Sequence, residues 1–343
     1  MRLQQVITVV GVHAEGEVGR VITGGVIAPR AASMFERQQA VIRDQDWLRG
    51  LLLSDPRGSV NAAVNLITPP IAPGADFGLI VIEADYYPPM SGSNLMCSVT
   101  AVLETGMVPM TEPLTRLCVD TPAGLVAVEA ECGGGKCRRV SFRNVPAFVM
   151  HLQQPVDVPG LGTITVDVAY GGMIYVVVDA AALGFSLARD EARALVELGE
   201  RIKLAAAGQL PSVHPENPGI HTINQTLFAG PLTIENGVKT AKNAVVVSPG
   251  RIDRSPCGTG SSARMALMHA KGELAAGEPF THLSILDTAF ACRIEETTMV
   301  GTTEAVVTNV GGRAWLTGVS YYGSDPEDPF PHGYRLNDTW LAC

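Results

Sequence analysis

The chain has 343 residues, 46% of them hydrophobic and 17% charged, with 36 Gly and a formal net charge of −9. This size suggests about two domains of a globular, turn-rich protein, and the acidic balance argues against nucleic acid or an anionic membrane as the main partner. No run approaches the roughly 20 apolar residues of a membrane helix.

In chain order, Val6–Val10 and Arg20–Ile27 read as strands around a loop holding His13, Glu15 and Glu17. Val6–Val10 is too short for a signal peptide's apolar region, so cytoplasm is the expected compartment. The three loop side chains invite a metal reading, but closeness in sequence does not make ligands converge, and a structural or substrate-lining loop is preferred. Ala32–Leu53 is mostly helical, with Phe35, Ala40, Val41, Trp47, Leu48 and Leu51 as its apolar positions, and Asp55-Pro56-Arg57-Gly58 stops it. Phe77–Glu83 is an apolar strand expected to be buried on both faces.

The strand leads through two tyrosines and two prolines to Met90-Ser91-Gly92-Ser93-Asn94. From Leu95 to Glu104 a helix is expected whose apolar residues cover most of its circumference, so it should be central and buried. Strands follow at Leu114–Val119, Leu125–Glu131 and Cys137–Phe142. Cys132 and Cys137 flank a Gly-rich turn, and a hairpin with incidental thiols is preferred to a zinc site because no second ligand pair is spaced to complete one. The seven Cys are scattered, which is unlike a disulfide scaffold. A domain boundary is placed after residue 145, giving domains 1–145 and 146–343, with the option that the last strands return to the first domain.

Beyond it, Gly162–Val168 and Met173–Asp179 are strands, and Ser186–Ala207 is an amphipathic helix with Leu195, Val196 and Ile202 on its apolar face. His214 lies in a loop and reads as a surface residue sooner than a catalyst. Asn243–Ser248 is a strand feeding the turn Arg251-Ile-Asp253-Arg254-Ser-Pro256-Cys257-Gly258-Thr259-Gly260. Pro256 disfavours helix just before it, Gly258 and Gly260 allow close backbone approach, and a helix runs from Ser262 to about Lys271. Cys257 thus precedes a helix N-terminus, where N–H groups and the dipole favour a thiolate or a carboxylate. Ser91 stands in the same relation to its own helix. Further strands are expected near Ile285, Arg293–Glu296, Ala305–Asn309 and Arg313–Thr317, and Asp325–Pro331 is ordered coil. No nucleotide fingerprint and no internal repeat of 20–50 residues is visible.

Arg254-Ser-Pro-Cys257-Gly-Thr-Gly260 resembles the second catalytic motif of the proline racemase superfamily almost letter for letter. His13-Ala-Glu-Gly-Glu17, Gly24-Gly25, Pro56-Arg57-Gly58, Leu103-Glu-Thr-Gly106 and Ala169-Tyr-Gly-Gly172 extend the resemblance over nearly the whole chain. One departure matters: the family's racemases carry Cys, Gly and His where this chain has Ser91-Gly92-Ser93. The resemblance implies an α+β fold of two pseudo-symmetric α/β domains of the diaminopimelate epimerase type. Each wraps sheet around a central helix, and the active site lies in the cleft between them. It also implies chemistry without a cofactor or metal at the α-carbon of a proline-like substrate, and a homodimer is the expected assembly.

Ser91 and Cys257 are then the catalytic pair. Gly92, Ser93, Gly258 and Thr259 would offer N–H groups to the substrate carboxylate, and Asp253 would pair with the ring ammonium, unless it only caps its turn or pairs with Arg254. An alcohol is a weaker acid than a thiol and is rarely ionised, which handicaps two-way racemisation through Ser91. Dehydration of trans-3-hydroxy-L-proline asks less. Its α-hydrogen and hydroxyl share one ring face, so a single residue can take the proton and return it to the leaving hydroxyl. Members lacking the first Cys resemble such dehydratases. Hydroxyproline 2-epimerisation is the alternative, and a Cys hydrolase would require a His within hydrogen-bond reach of Cys257.

Overall fold

The computed structural model describes residues 3–337 and 339. In chain order the elements are β1 (Gln4–Ala14), β2 (Glu17–Gly24), α1 (Met34–Gln45), α2 (Trp47–Leu53), β3 (Ala62–Thr68), β4 (Phe77–Ile82), α3 (Gly92–Glu104), β5 (Leu114–Thr121), β6 (Gly124–Cys132) and β7 (Cys137–Arg143). Then come β8 (Ala147–Val158), β9 (Gly162–Tyr170), β10 (Ile174–Asp179), α4 (Ala192–Gln209), β11 (Gln225–Glu235), β12 (Val238–Val247) and β13 (Arg251–Ile252). The series ends with α5 (Gly258–Ala270), β14 (Pro279–Leu283), β15 (Ala289–Val300), β16 (Thr303–Gly312) and β17 (Ala314–Ser324). Two compact units result: residues up to Phe142 together with those from Gly312 onward, and Arg143–Gly311. Among the described residues no helix is long and apolar enough to cross a membrane.

In the first unit the strand order is β17-β1-β2-β3-β4-β5-β6-β7, parallel at β2/β3 and β4/β5 and antiparallel elsewhere. Helix α3 packs against β1, β2, β3, β4 and β17 and is buried from Gly92 to Leu103. Its apolar side chains surround the axis, so it can only sit inside a sheet that curls round it. Helices α1 and α2 cover the other sheet face with Met34, Val41, Leu48, Leu51 and Leu52 against Ile7, Ile22, Val64 and Ile80. Ser33 caps α1 by accepting the Glu36 N–H, and the resulting helix phase leaves Phe35 more than half exposed, contrary to its expected core place.

In the second unit β8 pairs with both β9 and β16, so the ring β8-β9-β10-β11-β12-β14-β15-β16 closes on itself. Only β10/β11 and β12/β14 are parallel. Helix α5 packs on β8, β9, β10 and β15, and α4 lies outside with Leu195, Val196 and Ile202 in the core. Helix α4 starts at Ala192 because the Glu191 carboxylate gathers the N–H groups of Ser186 and Ala188 into a turn ahead of it.

The two units repeat one plan. An antiparallel pair is followed by outer helix, parallel strand, antiparallel strand, central helix and parallel strand, with α3 and α5 in the same slot. This is the two-domain mixed α/β architecture that the family resemblance implied. Strand β8 went unread because its ladder with β9 is broken by register shifts at Val149/His151 and His151/Gln154. Those shifts disrupt the period-two pattern on which a strand reading depends. The Arg57 guanidinium of the Pro56–Gly58 motif pairs with Asp328 at 2.6 Å and donates to the Phe330 carbonyl, which explains how the Pro/Asp-rich end is ordered.

Candidate active-site halves

Ser91 is the N-cap of α3, with φ −147° and ψ 125°. A serine there usually accepts an N–H of the first turn. This one does not: its Oγ instead accepts from Asn94 Nδ2 at 3.0 Å. Asn94 is oriented in turn by Asn65 on β3, whose Nδ2 donates to Asn94 Oδ1 at 3.0 Å. Both amides are buried, and Gly19 on β2 leaves the room they need, since a Cβ there would lie 2.8 Å from Asn65 Nδ2. Because no side chain caps α3, the N–H groups of Gly92 and Ser93 form a first turn suited to an anion.

Cys257 is the N-cap of α5 and carries φ 66° and ψ 109°, a region that residues with a Cβ avoid. Such strain persists only where the surroundings dictate it. Here the Asp253 carboxylate accepts both the N–H and the hydroxyl of Ser255 at 2.8 Å, and Ser255 Oγ accepts the Cys257 N–H at 3.1 Å. Asn243 Nδ2 holds the Pro256 carbonyl at 3.0 Å. Behind the helix start, Gly171 has no space for a side chain: a Cβ would fall 2.2 Å from the Thr259 carbonyl oxygen and 2.5 Å from the Ala263 nitrogen. Asn144, which the sequence did not single out, donates to the Gly171 carbonyl and to Ser262 Oγ, both at 2.8 Å. The Ala169–Gly172 motif is thus a seat for α5.

Cys257 is 5% exposed, and burial with the nearby Asp253 carboxylate raises the thiol pKa far above its ordinary value. Tyr175 OH lies 3.4 Å from the sulfur and Thr259 Oγ1 lies 3.9 Å from it, while the phenol and Thr259 Oγ1 are 2.6 Å apart. Among the described residues no histidine hydrogen-bonds this thiol, so the condition set for a Cys hydrolase is not met.

Other candidates resolve into structural roles. The His13 ring stacks on Trp315 at 5.1 Å, and Arg313 pairs with Glu15 at 3.2 Å, so this loop braces β17. Cys132 and Cys137 face each other across the β6–β7 hairpin. His214 packs edge-on against Phe148 and Tyr170, and partial burial lowers its pKa. Arg254 donates to the Ile252 carbonyl at 2.6 Å, and the Asp253 carboxylate accepts the Ser255 N–H at 2.8 Å.

The family model described as Proline racemase matches residues 9–335. The chain belongs to the proline racemase family. It is similar in structure to a hydroxyproline epimerase from Agrobacterium vitis solved with bound trans-4-hydroxy-L-proline, with 34% identity and a TM-score of 0.91 over 99% of this chain and 97% of that one. A probable proline racemase from Agrobacterium radiobacter K84, solved with bound carbonate, matches at 36% identity and a TM-score of 0.90, over 98% of this chain and 99% of that one. A PhzF-family phenazine biosynthesis protein from Bacillus anthracis, at 13% identity and a TM-score of 0.56 over 93% and 99%, shares the fold.

The chain is thus an enzyme of the proline racemase family. Two of its neighbours next to the expected catalytic residues escaped sequence reading. Asn94 looked like one more polar residue in a helical start. Tyr175 carried a fainter signal, a phenol inside the apolar run Ile174–Val178, which must find a polar partner once buried.

Proposed function

We propose that this proline racemase family member dehydrates trans-3-hydroxy-L-proline to Δ1-pyrroline-2-carboxylate, with Ser91 as the proton acceptor. The observation that carries this reading is the Ser91 oxygen, held out of its capping role and facing an amide donor at 3.0 Å. An alkoxide at Ser91 is stabilised by that N–H and by the uncapped helix N-terminus. It takes the α-proton, and the electrons of that C–H bond form the C2=C3 double bond as the C3–O bond breaks. The proton then leaves with the hydroxyl as water, which regenerates the alkoxide. The enamine product tautomerises to the Δ1-pyrroline. In this reading Gly92, Ser93, Gly258 and Thr259 bind the carboxylate through their N–H groups, and Asp253 pairs with the ring ammonium.

A second reading is 2-epimerisation of trans-4-hydroxy-L-proline. It is favoured by the Cys257 thiol, which burial keeps protonated and so able to hand a proton to the α-carbon after Ser91 has removed one. The likeness to an epimerase solved with that amino acid supports it as well. Proton NMR in D2O with each substrate separates them. Loss of trans-3-hydroxy-L-proline to a pyrroline, with the 4-hydroxy compound unchanged, supports the dehydratase. α-Deuteration and inversion of the 4-hydroxy compound, with the 3-hydroxy compound untouched, would replace it by the epimerase. No change in either would sink both.

A further inference from the structure

We propose that Tyr175 is a positioning residue for Cys257, its phenol donating a hydrogen bond to the sulfur whenever the thiol gives up its proton. Tyr175 is fully buried on β10, aligned with Ala169 on β9 and Gln225 on β11, and its strand neighbours Ile174, Val176, Val177 and Val178 are all buried and apolar. Only its hydroxyl distinguishes it from that apolar core, and the hydroxyl meets Cys257 Sγ at 3.4 Å and Thr259 Oγ1 at 2.6 Å. The thiol, the phenol and the Thr259 hydroxyl each carry a proton that can be donated within this group. When the thiol loses its proton, the phenol turns its own toward the sulfur.

The Asp253 carboxyl beside the sulfur opposes the thiolate; Tyr175 and the Gly260 N–H favour it. Gly260 also keeps this space open, since a Cβ there would lie 3.1 Å from Sγ. Removing the phenol therefore removes a donor from a buried sulfur, and a buried hydrogen bond to a charged sulfur is worth about one to two units of thiol pKa. How this affects turnover rests on the epimerase reading above, in which Cys257 returns a proton to the α-carbon; its effect on the thiol itself does not.

The test is the pH profile of Cys257 alkylation by iodoacetamide in the full chain, read at the Cys257 peptide by mass spectrometry. Tyr175→Phe is expected to move the profile up by about one unit and to slow alkylation about tenfold at fixed pH. Replacing Tyr175 by 3-fluorotyrosine, a stronger donor of nearly the same size, is expected to move it down. A profile unmoved in both proteins overturns the proposal, whatever the substrate proves to be. If the wild type deuterates trans-4-hydroxy-L-proline, Tyr175→Phe is also expected to slow that exchange at least fivefold while leaving dehydration of the 3-hydroxy compound within about twofold. Equal loss of both activities with an unmoved alkylation profile would assign Tyr175 to packing alone.

Discussion

Ser91 is an alcohol at an N-cap whose oxygen is given to a neighbouring amide. In the proposed mechanism this feature reconciles a weak acid with proton abstraction, because an alkoxide needs donors fixed before it forms. Ser91→Ala is expected to lower kcat for trans-3-hydroxy-L-proline about 1,000-fold with KM little changed. Asn94→Ala should cost about 100-fold in kcat, the usual loss for one preorganised donor. Asn94→Asp discriminates further: it keeps the shape but places an acceptor against the Ser91 oxygen, so it should be at least as damaging. Steady-state kinetics on the three variants check this, and an Asn94→Asp enzyme faster than Asn94→Ala would mean that residue 94 accepts the Ser91 proton.

At the scale of elements, the reactive end of α5 is set by what it rests on. Gly171 on the β9–β10 connection touches the helix backbone at distances that forbid a side chain, and Asn144 ties both together. Gly171→Ala is therefore expected to push α5 off its seat, costing about 3 kcal/mol and lowering the melting temperature by about 5 °C or more. Loss of Cys257 alkylation selectivity should accompany it, since the strained φ of Cys257 is maintained by the same packing. Calorimetry with peptide-level alkylation measures both effects. Gly208, exposed near the end of α4 with open space where a methyl group would project, is the control: Gly208→Ala should leave melting unchanged or raised.

For the molecule as a whole, the buried histidine of β14 sets an acid limit. His282 is fully buried, its Nδ1 sits 2.8 Å from Ser261 Oγ, and burial together with Arg264 pushes it from 6.5 down to about 3. The folded state holds it neutral while the unfolded chain binds a proton near 6.5. Its contribution to stability is thus fully present above pH 6.5 and is lost as the pH falls from there toward 3, on the order of 5 kcal/mol in all. His282→Asn, which can keep the bond to Ser261, should flatten the difference in urea stability between pH 7 and pH 4. An equal fall in wild type and variant would place acid sensitivity elsewhere.

Much of the plan could be read along the chain. Pro256, Gly258 and Gly260 around Cys257 dictate a turn and a helix start by local sterics, and the apolar residues that surround α3 dictate a buried helix. The strands β4, β5, β6 and β9 were legible for the same reason, because alternation and turn residues act over a few positions. Strand β8 was not, since its bulges break the alternation, and Phe35 was misplaced because the Ser33 cap decides the phase of α1. Tertiary structure alone brought Tyr175 to Cys257, Asn65 to Asn94 and Gly171 to Thr259. Those partners lie tens of residues apart in sequence, and their meeting depends on strand register and on how each sheet curls about its helix. Local propensity encodes backbone angles and which face turns inward, but a hydrogen bond across elements exists only after the faces have met.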